Sequence, residues 1–88
     1  ALEWGMINKV VEDDQLMATA MEWAETLSTG PTVALAGMRK LIWDATETNL
    51  GEALHQERLA QRTAGRTDDF GEGVKAFLEK RQANFQGK

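Results

Sequence analysis

Apolar residues recur at helical spacing in the last quarter of the chain and predict a strong helix there. Thr67 can cap this helix, and Asp68 and Asp69 place carboxylates in its first turn, near the positive end of the helix dipole. Lys80 and Arg81 close its last turn, where cations are favoured. The helix is therefore expected to be amphipathic and to end in a short tail. Its apolar face comprises Phe70, Val74, Phe77 and Leu78, and the tail comprises Gln82–Lys88.

Three more helices are predicted upstream, at about residues 13–28, 32–48 and 49–64. Asp13 or Asp14 can cap the first of them. Pro31 favours the start of the second, because proline at the first helical position loses no hydrogen bond. Asn49 and Glu52 have the spacing of a capping box at the start of the third.

The faces of these three helices differ in polarity. Glu57 and Gln61 continue the face that Leu50 and Leu54 begin on the third helix. Because an unpaired buried carboxylate is costly, this face is expected to meet water, a polar partner or another subunit. Glu57 is either a general base with a raised pKa or a carboxylate bonded to arginine or backbone groups at an interface. The stripes expected to be buried are Leu16, Ala20, Trp23, Ala24 and Leu27 in the first helix, and Leu35, Met38, Leu41, Ile42 and Ala45 in the second.

The first twelve residues follow a different pattern. Ala1–Trp4 has the character of a last helical turn, with Gly5 as the residue just beyond its end. Met6–Val11 is short and rich in β-branched residues, which favours an extended segment, although no partner strand is evident. The predicted fold is all-α: a small helical domain of about four helices with one short extended N-terminal segment. Its two parts are residues 1–12 and residues 13–88.

Length and composition limit the possible functions. Eighty-eight residues form one small domain with a marginal core, so another chain or a missing part of this one is expected to complete its apolar surface unless the helices pack unusually well. The absence of cysteine excludes a disulfide framework and a thiolate nucleophile, and it favours an intracellular, cytoplasmic location. No apolar run approaches the roughly 20 residues of a membrane span, and no signal peptide is visible.

The charge is distributed unevenly. A net charge of −4 argues against a general nucleic-acid binder, which needs a basic face. Residues 1–74 carry six basic and thirteen acidic side chains, a net −7, whereas residues 75–88 carry four basic and one acidic, a net +3. A basic cluster of this size suits one phosphorylated small molecule better than a polyanion.

Few side chains suit catalysis. Ser28 is the only serine, His55 is the only histidine, and cysteine and tyrosine are absent, so no set of nucleophile, base and orienting acid can be assembled. Glu52 and His55 have the Glu-x-x-His spacing of carboxylate-bridged metal sites, but such sites need a second copy and further glutamates. The sequence therefore predicts neither a catalytic residue nor a metal ligand in this chain.

Lys80 has two interpretations from its position alone. A lysine at a helix C-terminus usually compensates the helix dipole at the protein surface. Alternatively, Phe77 and Lys80, one helical turn apart, form an aromatic and cationic pair that could hold a nucleotide base and its phosphate.

Several stretches carry a family pattern: EWGMINKVV at 3–11, GPTVALA at 30–36 followed by Arg39–Leu41, the pair Glu57 and Gln61, and DFGEGVKAFLEKRQANFQGK at 69–88. Together they resemble the C-terminal part of the enoyl-CoA hydratase/isomerase (crotonase) superfamily. The resemblance covers essentially the whole chain, and the last stretch is its most specific part. The segment AGRTDDF at 64–70 is also similar to isomerases of ring-epoxidised phenylacetyl-CoA.

The resemblance implies that the catalytic core, with its spiral of ββα turns, its oxyanion-hole amides and its acidic residues, lies outside these 88 residues. It implies that the helical part builds a trimer or a dimer of trimers. Phe77 and Lys80 match family positions that approach the adenine and phosphate of CoA, the carrier portion of an acyl-CoA substrate, and no tightly bound cofactor is expected. The parent enzyme would then stabilise a thioester enolate for hydration or double-bond isomerisation.

Two hypotheses follow. In the first, residues 13–88 are the C-terminal oligomerisation and CoA-capping segment of such an enzyme, residues 1–12 connect it to the missing core, and the chain alone is inactive. In the alternative, the chain is a free-standing helical protein-interaction module with no enzymatic activity.

Overall fold

The computed structural model describes all 88 residues, and its regular structure is entirely helical. This confirms the predicted all-α fold of four helices. Met6–Val11 is irregular and forms no strand. A 3-10 turn at Asp13–Gln15 precedes the helices α1 (Leu16–Ser28), α2 (Thr32–Asp44), α3 (Leu50–Ala64) and α4 (Asp68–Glu79).

Two of the predicted helix starts are confirmed by side-chain capping. The Asn49 side chain accepts a hydrogen bond from the Glu52 N–H at 3.0 Å, and the Thr67 hydroxyl accepts one from the Phe70 N–H at 3.2 Å. Each bond satisfies an amide that the first helical turn leaves without a partner. Neither Asp13 nor Asp14 caps α1 as predicted, because both lie inside the 3-10 turn, and Gln15, the residue before α1, makes no side-chain capping bond.

The second helix is shorter than predicted, ending at Asp44 rather than near position 48. The hydroxyls of Thr46 and Thr48 donate to the carbonyls of Trp43 and Asp44, at 2.8 and 3.2 Å. Threonine side chains that bond the backbone in this way compete with helical hydrogen bonding. The chain therefore leaves the helix about one turn early.

Gly5 occupies the position that the sequence predicts for it. Its φ is +70°, in the left-handed region that favours glycine. The Met6 N–H donates to the Ala1 carbonyl and the Gly5 N–H donates to the Leu2 carbonyl, both at 3.0 Å. This pair of bonds is the Schellman pattern of a helix end.

The burial predicted for the apolar stripes is wrong for most of their members. Only Ala76 and Asp69 are buried in the whole chain, and twenty large apolar side chains are exposed. Of the stripe predicted for α2, only Leu35 and Leu41 are even half-buried. The helical spacing was correct, but the chain supplies nothing that covers these faces. The exposed members are Leu16, Ala20, Trp23, Ala24 and Leu27 in α1, Met38, Ile42 and Ala45 around α2, and Phe70, Val74, Phe77 and Leu78 in α4.

The dimensions and the accessible surface of the chain also show that its apolar faces are uncovered. The fold is a plate of 41 × 39 × 19 Å with a radius of gyration of 16.3 Å, against about 12 Å for a typical domain of this length. Its accessible surface is 7716 Å², whereas a folded monomer of 9.8 kDa exposes about 5,200 Å². The excess of about 2,500 Å² is within the range of permanent protein–protein interfaces.

We therefore expect the isolated 88-residue chain to self-associate at micromolar concentration and to lose helix content on dilution, since association is its only means of covering the apolar faces. Sedimentation velocity and far-ultraviolet circular dichroism across a dilution series measure the two effects. A monomer with a sharp, concentration-independent melt would contradict the expectation.

Candidate functional site

Helix α4 ends two residues earlier than predicted, and this changes the setting of Lys80. The helix stops at Glu79, and Lys80 adopts the left-handed conformation with φ 53° and ψ 41°. The Arg81 N–H donates to the Ala76 carbonyl at 3.0 Å and the Lys80 N–H donates to the Phe77 carbonyl at 3.3 Å, which is again a Schellman motif. Lys80 and Arg81 thus lie beyond the last helical turn, which carries no basic residue.

The left-handed conformation at Lys80 is unusual, since it is the only residue other than glycine with a positive φ. A side chain at this conformation costs roughly 1–2 kcal/mol relative to glycine. Lys80 is exposed, and its ammonium group has no hydrogen bond or ion pair within the chain. Its charge is therefore available to an outside anion.

Phe77 lies beside an apolar groove between α4 and the start of α2. Phe77 is 82% exposed, more than any other large apolar residue of α4. The groove has a volume of about 400 Å³ and is open to solvent. It is lined by Pro31, Ala34, Ala64, Phe70, Val74, Phe77, Leu78 and Phe85, among others. Phe77 thus offers a free aromatic face at one side of an apolar groove.

The tail, residues Gln82–Lys88, folds back along α4 instead of leaving it. Asp69, which is only 3% exposed, accepts the Gln86 N–H on Oδ1 at 2.6 Å and the Gly87 N–H on Oδ2 at 2.8 Å. The Asp69 N–H in turn donates to the Lys88 carbonyl at 3.0 Å. A first-turn carboxylate predicted to face the helix dipole is thus also the attachment point of the tail.

A second carboxylate, Glu72, holds the reversal of the chain. Arg81 donates to it through both terminal nitrogens, at 2.6 and 2.9 Å, and the Asn84 N–H donates to Oε1 at 2.8 Å. These bonds, first from Arg81 and then from Asn84, lower the pKa of Glu72 from 4.5 to about 2. Glu72 and Glu79 in turn raise the pKa of Arg81 above its usual value. Arg81 is therefore paired twice, and only part of the basic cluster seen in the sequence is free.

The polar face of α3 meets no partner within the chain. Glu57 and Gln61 line an open groove of about 360 Å³ between α2 and α3 and are both exposed. Glu57 makes no side-chain hydrogen bond or ion pair, so the predicted bonding to arginine or backbone groups is not seen within the chain. His55 lies beside Arg58, with 3.2 Å between Nδ1 and Nη2, and no group of three or more potential metal ligands occurs.

Asp69, Glu72 and Arg81 form a structural unit that local sequence rules do not reveal. Those rules assign Asp69 to the helix dipole and Arg81 to the helix end. One signal was available: the two carboxylates are three residues apart, and therefore on one side of a helix whose C-terminus is followed by an arginine. Their partners, however, are mostly main-chain amides, which any sequence would supply.

Comparison with known proteins identifies the family to which the chain belongs. The whole chain aligns with solved crotonase-fold structures, in each case with about one-third of the length of the other protein. One of them is an enoyl-CoA hydratase/isomerase from Mycobacterium paratuberculosis, with a TM-score of 0.91, 35% identity and 35% of that chain covered. The family model for enoyl-CoA hydratase/isomerase matches residues 1–88. The chain therefore belongs to the enoyl-CoA hydratase/isomerase family, as its sequence resemblance indicates.

Curated relatives agree with this assignment. The chain is 47% identical over 88 residues to 1,2-epoxyphenylacetyl-CoA isomerase of Escherichia coli, covering all of this chain and 34% of the relative. It is 39% identical over 87 residues to mevalonyl-coenzyme A hydratase of Aspergillus fumigatus, covering 94% of this chain and 32% of the relative. The chain thus spans about one-third of the length of the relatives it matches. None of its helices has the length and apolar character that a membrane crossing requires.

Acid should loosen the near end of the tail, at Arg81 and Asn84, through Glu72. Because the folded-state pKa of Glu72 is depressed, its contribution to docking is fully present above about pH 4.5 and is lost as the pH falls toward about 2. A dye attached at Ala83→Cys, the only thiol in the chain, should show falling fluorescence anisotropy over this interval.

The Glu72→Gln variant is the control for this titration. It should show low anisotropy already at neutral pH, because an amide cannot pair with Arg81 as a carboxylate does. A titration step of unchanged size in Glu72→Gln would show that another group controls the tail.

Proposed function

We propose that the chain is the helical oligomerisation and CoA-capping segment of an enoyl-CoA hydratase/isomerase that acts on acyl-CoA thioesters. The observation that carries this proposal is the exposure of the apolar helix faces, on a chain whose total accessible surface exceeds that of a folded monomer of this size by about 2,500 Å². The proposed occupants of that surface are the remainder of the enzyme and neighbouring copies, in a trimer or a dimer of trimers. The longer protein in which this chain would function is called the parent enzyme below.

The relatives support the first of these occupants. They match the chain with only about one-third of their length, so in each of them two-thirds of the protein is available to cover the helices. No set of catalytic side chains is assembled within the 88 residues: Glu57 is unpartnered and His55 has only Arg58 beside it. The catalytic groups of the parent enzyme are accordingly assigned to the part outside this chain.

Phe77 and Lys80 are the proposed contacts to CoA. An exposed aromatic ring can stack on an adenine base, and an unpaired ammonium group at the adjacent helix end can pair with a phosphate. Among the four basic residues of the last stretch, Arg81 is already bound to two glutamates and Lys75 lies near Glu72. Lys75 and Lys88 also form no ion pair, but Lys80 is the free lysine one helical turn from Phe77, the spacing at which side chains on a helix become neighbours.

The names of the relatives also favour the CoA portion as the shared ligand. One acts on an epoxidised phenylacetyl group and the other on a mevalonyl group, and both names specify a CoA derivative. Acyl groups so different cannot be recognised by the same contacts, whereas the CoA nucleotide is common to both. A segment similar to both proteins is better suited to binding the nucleotide than to selecting the acyl group.

Replacement of Lys80 by alanine in the parent enzyme should raise KM for the CoA thioester roughly three- to tenfold, between the effects of an exposed ion pair and of a charge-assisted hydrogen bond. The KM for the matching pantetheine thioester, which lacks the nucleotide, should change less. Steady-state kinetics with both substrates measure the difference.

Two variants control for charge and for backbone strain. Lys75→Ala removes the same charge from the middle of α4 and should leave both KM values near those of the unmodified enzyme. Lys80→Gly should raise KM as Lys80→Ala does, yet raise the thermal midpoint by about 2–4 °C because glycine relieves the left-handed conformation. Equal KM changes for the two substrates would refute the phosphate contact.

The 88-residue chain alone should not hydrate crotonyl-CoA, because the catalytic groups are assigned to the missing part. The assay follows the loss of the enoyl thioester absorbance, with the parent enzyme as positive control. Turnover by the pure chain would overturn this assignment. An inactive chain that is also a stable monomer would instead favour the free-standing interaction module.

A further inference from the structure

Helix α4 contacts the rest of the fold mainly through the tail. The close helix pairs are α2 with α3 and α1 with α2, and α4 has no helix contact of comparable extent. Its apolar side faces the groove of about 400 Å³ rather than a packed neighbour. The connection from α3 is short and fixes where α4 begins but not the direction of its axis. A second contact must therefore set that direction and, with it, the position of the end where Phe77 and Lys80 lie.

The tail spans the gap between α4 and α2. At its near end, Arg81 and Asn84 are bound to Glu72. In its middle, Phe85 packs on Gly73, where an added Cβ would lie 3.5 Å from the ring.

The far end of the tail abuts α2. Gly87 has a φ of +73°, and a Cβ there would lie 2.7 Å from the Thr32 Oγ1 at the start of α2. The tail is thus anchored to α4 and fits against the first residue of α2.

Asp69 is the group that joins these contacts. It is the only buried charged residue, and both of its oxygens accept tail amides while its own amide donates to the tail. Because hydrogen bonds to charged groups are stronger than neutral ones, and a buried carboxylate without partners is costly, the bound tail is strongly favoured over a free one.

We propose that Asp69 is a positioning residue, which acts through the tail to fix α4, and with it Phe77 and Lys80, relative to the α2–α3 pair. The proposal rests on the proposed function for its effect on CoA, but its structural part stands apart from it. Asp69 itself touches no substrate. It sets the place at which the two proposed CoA contacts are presented.

The test uses the parent enzyme with Asp69→Asn, in which one of the two tail amides faces an NH2 group instead of an oxygen. KM for the CoA thioester should rise at least threefold, kcat should stay within twofold, and KM for the pantetheine thioester should be nearly unchanged. In a Phe77→Ala, Lys80→Ala background, Asp69→Asn should add less than twofold to KM, because the residues it positions are gone. A full additional rise in that background would overturn the proposal.

A milder pair of variants covers the case in which Asp69→Asn fails to fold. Gly87→Ala places a methyl group against Thr32 and should raise the same KM, and adding Thr32→Ala should recover part of the loss by removing the Oγ1. Gly71→Ala, on α4 but with open space around its Cβ position, is the matched control and should have no effect. An effect of Gly71→Ala equal to that of Gly87→Ala would contradict the role of the tail.

A distance measurement separates this proposal from the proposed function. Spin labels at Arg39→Cys on α2 and Lys75→Cys on α4, in a cysteine-free background, should give a narrow distance distribution that broadens with Asp69→Asn. An unchanged distribution overturns the positioning role. A broadened distribution combined with no KM effect of Phe77→Ala or Lys80→Ala supports the positioning role and refutes the CoA contacts.

Discussion

One constraint governs the structure: the chain has too few residues to cover the apolar faces of its own helices. Two residues are buried among 88, and the plate is only 19 Å thick. A helix with its side chains is about 10–12 Å across, so the plate is less than two helix layers deep. Helices in such a layer gain little from mutual packing, and most helical stability in proteins comes from packing. Their positions must therefore be fixed by local caps, by chain reversals and by surfaces outside the chain.

Polar contacts provide the local caps and the chain reversals. Asn49 and Thr67 start α3 and α4, Glu72 closes the reversal after α4, and Asp69 attaches the tail. All four side chains bind main-chain amides that would otherwise have no partner. Such contacts define geometry well, but a network of this kind contributes only modestly to the free energy of unfolding when water can compete for its exposed members. The larger contribution is expected from the covered apolar area.

Structural features that depend on neighbouring residues in the chain could be predicted from the sequence. Features that depend on contacts between distant residues could not. Helix number and the starts at Asn49 and Thr67 follow from caps and period, and Gly5 follows from backbone sterics, so all were predictable. The burial of the stripes was wrong because periodicity identifies an apolar face without showing what covers it. The attachment of the tail to Asp69, seventeen and eighteen residues away, could not be foreseen from local rules. For the candidate site, the two residues were selected from the sequence, but the conformation of Lys80 required the structure.

The conformation of Lys80 connects the fold to the proposed site. Glycine would end α4 without strain, so a lysine here is a local cost of roughly 1–2 kcal/mol that nothing inside the chain offsets. Sequences usually agree with local backbone preferences, and departures from them concentrate at functional positions. The same left-handed turn directs the chain back toward Glu72, so one residue both starts the reversal that leads to Asp69 and carries the unpaired charge. The proposed phosphate contact of Lys80 therefore depends on the tail being in place, which is why the contacts of Asp69 and the charge of Lys80 are best understood as parts of one arrangement.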